Sequence, residues 1–167
     1  MTESNDSSDV THTLYPFMYI IKRTNSNDPN FQNLVVLLDR DLAIRDGEEH
    51  AFFAQYNKIT SINHVVVAYE NGLAVGCGAI KAYSEDIVEI KRMFVLEANR
   101  GKGIASLVLL ELEKWAKELG YKKCILETGI KQPEAISLYT KNQYVRIKNY
   151  GQYADIANSV CFEKEVK

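Results

Sequence analysis

The stretch that most constrains this chain runs from Glu89-Ile-Lys-Arg-Met-Phe-Val95 through Leu96-Glu-Ala-Asn-Arg-Gly-Lys-Gly-Ile-Ala-Ser106 into Leu107-Val-Leu-Leu-Glu-Leu-Glu-Lys-Trp115. An apolar extended run stops at a short polar turn with glycines at 101 and 103, and an amphipathic run begins at once. That order predicts a strand, a glycine loop and the start of a long helix. The first turn of a helix leaves backbone N–H groups without intrahelical partners, and glycines let an anion approach them, so the turn is a candidate phosphate cradle. Arg100 and Lys102 place positive charge on its rim. The same residues also describe a tight connection in an ordinary α/β protein, because short glycine motifs recur by chance.

A net charge of −2 exerts no general pull on nucleic acid or an anionic membrane, so any anion site must be local. The 46% apolar and 25% charged contents are those of a globular chain, and 167 residues suit one domain with a real core. No apolar run approaches the length that spans a bilayer. The segment Met1-Thr-Glu-Ser-Asn-Asp-Ser-Ser-Asp9 is acidic and polar rather than basic and apolar, so a cytoplasmic location is expected. Cys77, Cys124 and Cys161 are odd in number, far apart and set in apolar runs, which predicts buried free thiols. With no CxxC pair and no nearby histidine, neither a metal nor a reactive cysteine is expected.

Residues 1–14 read as a flexible tail and 15–167 as a single domain. Met18-Tyr-Ile-Ile-Lys-Arg23 is a first strand. Phe31, Leu34, Val35, Leu38 and Leu42 then recur at three and four, the spacing of a buried helical face. A second helix is expected over 48–56, beyond the Asp46-Gly47 break; its His50 is a substrate-facing residue or an ordinary surface one. Two apolar runs, 64–69 and 73–80, flank Asn71-Gly72, a hairpin turn signal. With 87–95 they predict three antiparallel neighbours. Gly76 and Gly78, inside a strand, mark a bulge, a close backbone approach or plain packing.

The helix over 103–119 places Ile104, Leu107, Val108, Leu112, Trp115 and Leu119 on one side, with Glu111, Glu113, Lys114, Lys117 and Glu118 largely on the other. The strand over 123–128 can run parallel to 87–95 through a right-handed crossover. Pro133 opens a short helix to Asn142, and 144–147 and 159–164 close the chain as strands.

Arg100-Gly-Lys-Gly-Ile-Ala105 resembles the Arg/Gln-x-x-Gly-x-Gly/Ala signature of the GNAT superfamily, acetyltransferases that use acetyl coenzyme A. Glu89-Ile-Lys-Arg-Met-Phe-Val95 resembles the family's fourth strand, and Ala135-Ile-Ser-Leu-Tyr-Thr-Lys-Asn-Gln-Tyr144 its Ala-x-x-Leu-Tyr-x-Lys-x-Gly-Phe/Tyr segment. Ala105 replaces the second glycine, Gln143 stands where glycine is common, and Gln132 where many members have asparagine. The resemblance implies an α/β (α+β) GNAT fold: a mixed, mainly antiparallel sheet of about six to seven strands with a central parallel pair, flanked by about four helices. It implies N-acetylation of a primary amine by direct attack, with acetyl-CoA as cosubstrate.

By the same resemblance, the pyrophosphate sits on backbone of Arg100, Gly101, Lys102, Gly103, Ile104 and Ala105. The pantetheine arm pairs with main chain of Met93, Phe94 and Val95, and Gln132 offers a side-chain contact. Glu89 occupies the place of the histone-acetylating branch's general base, and strict alternation sets it on the face of Met93. It could equally be a strand carboxylate paired with Lys91 or Arg92. Tyr139 matches the tyrosine that protonates the departing thiolate, although a Tyr beside Leu138 also suits a core. A base has work to do. An amine with a pKa near 10.4 is ~3.4 units above neutrality, so freeing its lone pair costs roughly 4–5 kcal/mol.

The expected acceptor is a small-molecule amine or amino acid, or a protein N-terminus, rather than nucleic acid or a membrane. Family members often form homodimers, an expectation by analogy alone. Two other readings stay open. One is a non-catalytic acyl-CoA sensor. The other is a dinucleotide-binding domain, with Glu127 about 24 residues after the glycines at the usual ribose-contact spacing, though Ser106 replaces the third glycine and hairpins precede the turn.

Overall fold

The computed structural model describes residues 13–14, 19–55 and 61–166. The expected tail over 1–12, Met18 of the first strand and Tyr56 of the second helix lie outside the described residues. Eight strands form one sheet, β1 (Thr13–Leu14), β2 (Tyr19–Thr24), β3 (His64–Glu70), β4 (Leu73–Ala82), β5 (Ile87–Val95), β6 (Lys123–Gly129), β7 (Val145–Ile147) and β8 (Ser159–Glu165). Their spatial order is β1-β2-β3-β4-β5-β6-β8-β7. Every neighbouring pair is antiparallel except β5 and β6. Among the described residues four α-helices accompany the sheet, α1 (Pro29–Asp46), α2 (His50–Ala54), α3 (Ile104–Glu118) and α4 (Pro133–Lys141). The mixed sheet with a central parallel pair is the expected one, with the two-residue β1 drawing Thr13 and Leu14 out of the expected tail.

Local chemistry starts the elements where they start. Asp28 accepts from the amides of Asn30 and Phe31 at 2.8 and 3.3 Å, and Pro29 takes the first helical position of α1. Such a cap contributes ~1 kcal/mol. Asn71 and Gly72 join β3 to β4 with φ of 50° and 81°, the two positive angles of a type I′ turn. The second helix is shorter than expected: a 3₁₀ turn, Gly47–Glu49, precedes the five residues of α2.

The sheet has a core on each face. Phe31, Leu34 and Val35 of α1 pack on Val65, Val67, Cys77 and Ala79. On the other face Ile104, Val108, Leu109 and Leu112 of α3 pack with Ile80, Ile90, Leu126, Tyr139 and Phe162. Gly76 belongs to this contact, because a Cβ there would press on Ile104 Cγ2 at 3.0 Å. Two carboxylates that amphipathic reading placed outward are buried instead. Glu111 is tied to Arg23 Nε at 2.8 Å, and Glu113 to Lys164 Nζ at 2.6 Å and the Tyr144 hydroxyl at 3.2 Å. Their partners come from β2, β8 and the turn before β7, beyond the reach of helical periodicity. Leu119, assigned inward, is 44% exposed.

The three cysteines are free and buried, as expected. Burial pushes the thiols of Cys77 and Cys124 up to about 12 and that of Cys161 up to about 11, so all three stay protonated and poorly nucleophilic near neutral pH. No helix of the described residues is long and apolar enough to cross a membrane.

Candidate functional site

Strands β5 and β6 pair only over Ile87↔Lys123, Val88↔Cys124 and Glu89↔Ile125. Beyond Glu89 that edge of β5 has no strand partner among the described residues. The cause is a bulge on its other edge: Cys77 faces Phe94 and Ala79 faces Lys91, so Arg92 and Met93 together oppose the single residue Gly78. An extra residue bends and twists the strand that carries it. Arg92 has φ 58° at the bulge, a left-handed conformation that costs ~1–2 kcal/mol outside glycine. Its buried guanidinium reaches Asp39 of α1 at 2.5 Å, tying the bulge to that helix. Met93 fills the place of a side chain at 78, where a Cβ would collide with its sulfur.

The bulge corrects one expectation. Strict alternation puts Glu89 and Met93 on the same face, but the extra residue reverses the phase. Glu89, Lys91 and Phe94 face α1, while Met93 joins Val108 and Leu112 beneath α3.

The parted strands open a cleft of about 470 Å³. At one end lie Gly101 and Gly103, with φ of 78° and 82°. A Cβ at either would meet nothing within 4 Å, so the backbone conformation calls for glycine and the approach stays open. Gly103 is the N-cap of α3, and no side chain caps the turn that follows. Ile104, Ala105 and Ser106 line the cleft there. The basic side chains are largely committed elsewhere. Arg100 donates from Nε to the Val95 carbonyl at 2.9 Å and lies over the Phe94 ring, while Lys102 stands 3.7 Å from Glu70. Gln132, just before α4, lines the cleft with its amide against Gly129.

The other end is made of side chains. Glu89 accepts from the Tyr150 hydroxyl at 2.5 Å on one oxygen and meets Lys91 Nζ at 3.0 Å on the other. Burial, and then the Glu89 charge, push the Tyr150 phenol up. Asp46, Phe53, Glu127 and Tyr153 complete this end. Burial foremost, then the charges of Asp46 and Glu89, push the Glu127 carboxyl up to about 7, against the Ser159 hydroxyl and Lys91. Tyr139 lines the wall between the two ends, buried at 6% exposure and packed edge-on to Tyr144. Its phenol is pushed up by burial and then by the Glu127 charge, so it holds its proton.

The model of the acetyltransferase (GNAT) family matches residues 31–144, from the first turns of α1 to the end of α4. The chain belongs to the GNAT acetyltransferase family. It is 37% identical over 100 residues to an IAA acetyltransferase of Azospirillum brasilense, covering 59% of this chain and 65% of that one. It is 44% identical over 77 residues to the uncharacterized N-acetyltransferase YjgM of Escherichia coli K12, covering 44% of this chain and 46% of the other. The matches thus span about half to two thirds of these relatives' lengths. Among solved structures, a Klebsiella pneumoniae protein assigned as an acyl-CoA N-acyltransferase shares 28% identity at a TM-score of 0.75, over 90% of this chain and 99% of that one. A GNAT acetyltransferase of Elizabethkingia anophelis, solved with acetyl-CoA bound, shares the fold at 20% identity and a TM-score of 0.66, over 89% and 98% of the two chains.

With the GNAT topology in place, antiparallel hairpins before the glycine turn replace the βαβ units that a dinucleotide-binding domain requires. The cleft brings together Glu89, Met93, Phe94, Val95, Arg100, Gly101, Gly103, Ile104, Ala105, Gln132 and Tyr139. Lys102 and His50 stand outside its lining. Sequence reasoning missed Asp46, Tyr153 and any place in this cleft for Glu127. Only Glu127 had a signal: a carboxylate inside Lys123-Cys-Ile-Leu-Glu-Thr128, a strand otherwise bound for the core.

Proposed function

We propose that this chain transfers an acetyl group from acetyl-CoA to a primary amine of a small molecule, by direct attack. The observation that carries this reading is one continuous segment, in which the unpaired edge of β5 leads through the Gly101 and Gly103 turn to the uncapped start of α3. The amide groups of a pantetheine arm suit an open strand edge, and a pyrophosphate suits free helix-terminal N–H groups. The residues present fit that coenzyme. Main chain of Met93, Phe94 and Val95 would hold the arm, backbone of Arg100, Gly101, Gly103, Ile104 and Ala105 the pyrophosphate, with Lys102 on the outside of the turn, and Gln132 would add a side-chain contact. Each helix-terminus interaction contributes ~0.3–1 kcal/mol when exposed, so affinity requires several acting together.

Bound acetyl-CoA supplies the activated thioester; the protein's groups place the amine and move protons. Tyr139 keeps its proton through the neutral range and gives it to the departing sulfur. Glu89 holds Tyr150 and Lys91 in place beside the incoming amine. The acetyltransferase names of the relatives support the reaction class, and a cleft of about 470 Å³ suits a small acceptor better than a folded one.

The test is an amine panel with acetyl-CoA, read as release of free coenzyme, beside calorimetry with acetyl-CoA and with NAD. Binding of acetyl-CoA and not NAD, with release driven by at least one small amine, is expected. Binding without release across the panel would leave an acyl-CoA sensor in place of an enzyme.

A further inference from the structure

Among the described residues, the acceptor end of the cleft holds more carboxyl groups than ion pairs. Glu89 is matched by Lys91. Asp46, at the end of α1, is 9% exposed and lines the cleft, and its carboxyl group makes no hydrogen bond or ion pair with the described residues. Glu127 of β6 lines the same cleft and forms no ion pair with them either. We propose that Glu127 takes the proton from the acceptor amine, with Asp46 as its neighbour in the cleft. This rests on the acetyl-transfer reading and deepens it.

The geometry separates the two glutamates. Both stand on the α1 face, on the two strands that part to form the cleft. Each oxygen of Glu89 already engages a donor of the protein, one Tyr150 and one Lys91. Among the described residues Glu127 forms no ion pair, and the Ser159 hydroxyl is the one donor that acts on it. Tyr139 lies close enough for its phenol to feel the Glu127 charge, so proton acceptor and proton donor flank one part of the cleft. Chemistry favours the same choice, because a base works best when its pKa lies near the working pH, and burial with neighbouring charge brings Glu127 up to about 7.

The groups facing Glu127 come from every element around it: Asp46 of α1, Glu89 and Lys91 of β5, Tyr139 of α4, Tyr153 of the 151–153 turn, and Ser159 and Cys161 of β8. Asp46 in turn is pushed up first by its burial and also by the Glu49 charge, against His50 and Lys131.

The proton count closes. Glu127 accepts one proton from the substrate ammonium and later releases it to solvent. The freed lone pair forms the C–N bond as the C–S bond breaks. Tyr139 protonates the departing sulfur and recovers the second nitrogen proton, leaving amide, free thiol and one released proton.

Two measurements test this on the full chain. In the free protein carrying ¹³C-labelled glutamate carboxyls, one resonance should titrate near pH 7, vanish in Glu127→Gln and move about one unit acidward in Asp46→Asn. With acetyl-CoA and the amine turned over fastest in the panel, kcat should fall about 100-fold in Glu127→Gln and lose its acid limb. Glu127→Asp should retain the limb at reduced turnover, and Glu89→Gln should retain it too. Glu127→Gln with an unchanged profile, or no glutamate titrating above pH 6, overturns the proposal while leaving acetyl transfer standing. A panel with no turnover defeats the acetyl-transfer reading, and the base role with it.

Discussion

The end of the cleft proposed for the coenzyme comes from one unbroken segment, 93–105, and offers mainly backbone: an unpaired strand edge, two glycines with positive φ and an uncapped helix start. The end proposed for the acceptor gathers Asp46, Glu89, Glu127 and Tyr150 from four places in the chain and offers side chains whose charges act on one another. A backbone site is insensitive to most side-chain changes and accepts one ligand chemistry, whereas a side-chain site can be retuned one residue at a time. Substitutions should therefore divide cleanly, with acceptor-end changes read in turnover and coenzyme-end changes read in affinity.

The largest divided effect is expected at the wall between them. Tyr139→Phe removes a single hydroxyl from a packed ring and should lower kcat by about 100-fold, with acetyl-CoA affinity by calorimetry changed less than twofold. A Phe variant with full turnover would remove Tyr139 from the chemistry and leave it a core residue beside Tyr144 and Phe162.

The same division explains how far the sequence could be read. The strand, glycine turn and helix are contiguous, and each obeys local rules: alternation, positive φ at glycine, helical spacing. The acceptor end obeys none of them. Nothing in Asp46-Gly47 beyond a helix stop says that this carboxylate will be buried opposite β6, and the Tyr150 hydroxyl meets Glu89 across 61 positions. The bulge was hidden for a different reason. Arg92 pays for its positive φ through a tertiary contact with Asp39, so the local pattern there reads as plain alternation. Gly78 was visible as a bulge mark, but not which strand would carry the extra residue.

Stability against pH sharpens the comparison from the acceptor side. Between the ordinary carboxyl value of 4.5 and about 7, folded Glu127 keeps a proton that the unfolded chain has lost. The unfolded state binds fewer protons in that window, so stability falls as pH rises through it. With partial solvent access discounted, the loss is about 1–3 kcal/mol. Urea unfolding at pH 5 and pH 8 should show it in the wild type and not in Glu127→Gln, which is then the more stable protein at pH 8. Parallel pH dependence in the two proteins would place the titrating group elsewhere.

At the coenzyme end the expected change is smaller and of another kind. Gly103→Ala must hold a left-handed φ of 82° at the N-cap, at a cost of ~1–2 kcal/mol. No neighbour lies within 4 Å of the added methyl, so backbone strain alone is being measured. The acetyl-CoA Kd should rise about tenfold, with kcat at saturating coenzyme changed less than twofold. A drop in kcat without a change in Kd would mean that the turn serves the chemistry directly, and the division between the two ends would fail.

Lys102→Ala is the smallest test and the most pointed one. The ammonium is exposed, stands outside the cleft lining and lies 3.7 Å from Glu70, so its charge reaches a bound pyrophosphate only through solvent. Exposed charge pairs contribute ~0–1 kcal/mol and are screened within about 10 Å at 0.1 M salt. The substitution should therefore weaken acetyl-CoA binding by about two- to threefold at low ionic strength, and the difference should vanish near 0.5 M salt. A backbone cradle keeps most of its affinity under those conditions because its N–H donors touch the anion. A tenfold loss that survived high salt would show Lys102 turning inward on binding, and the coenzyme end would then be a side-chain site as well.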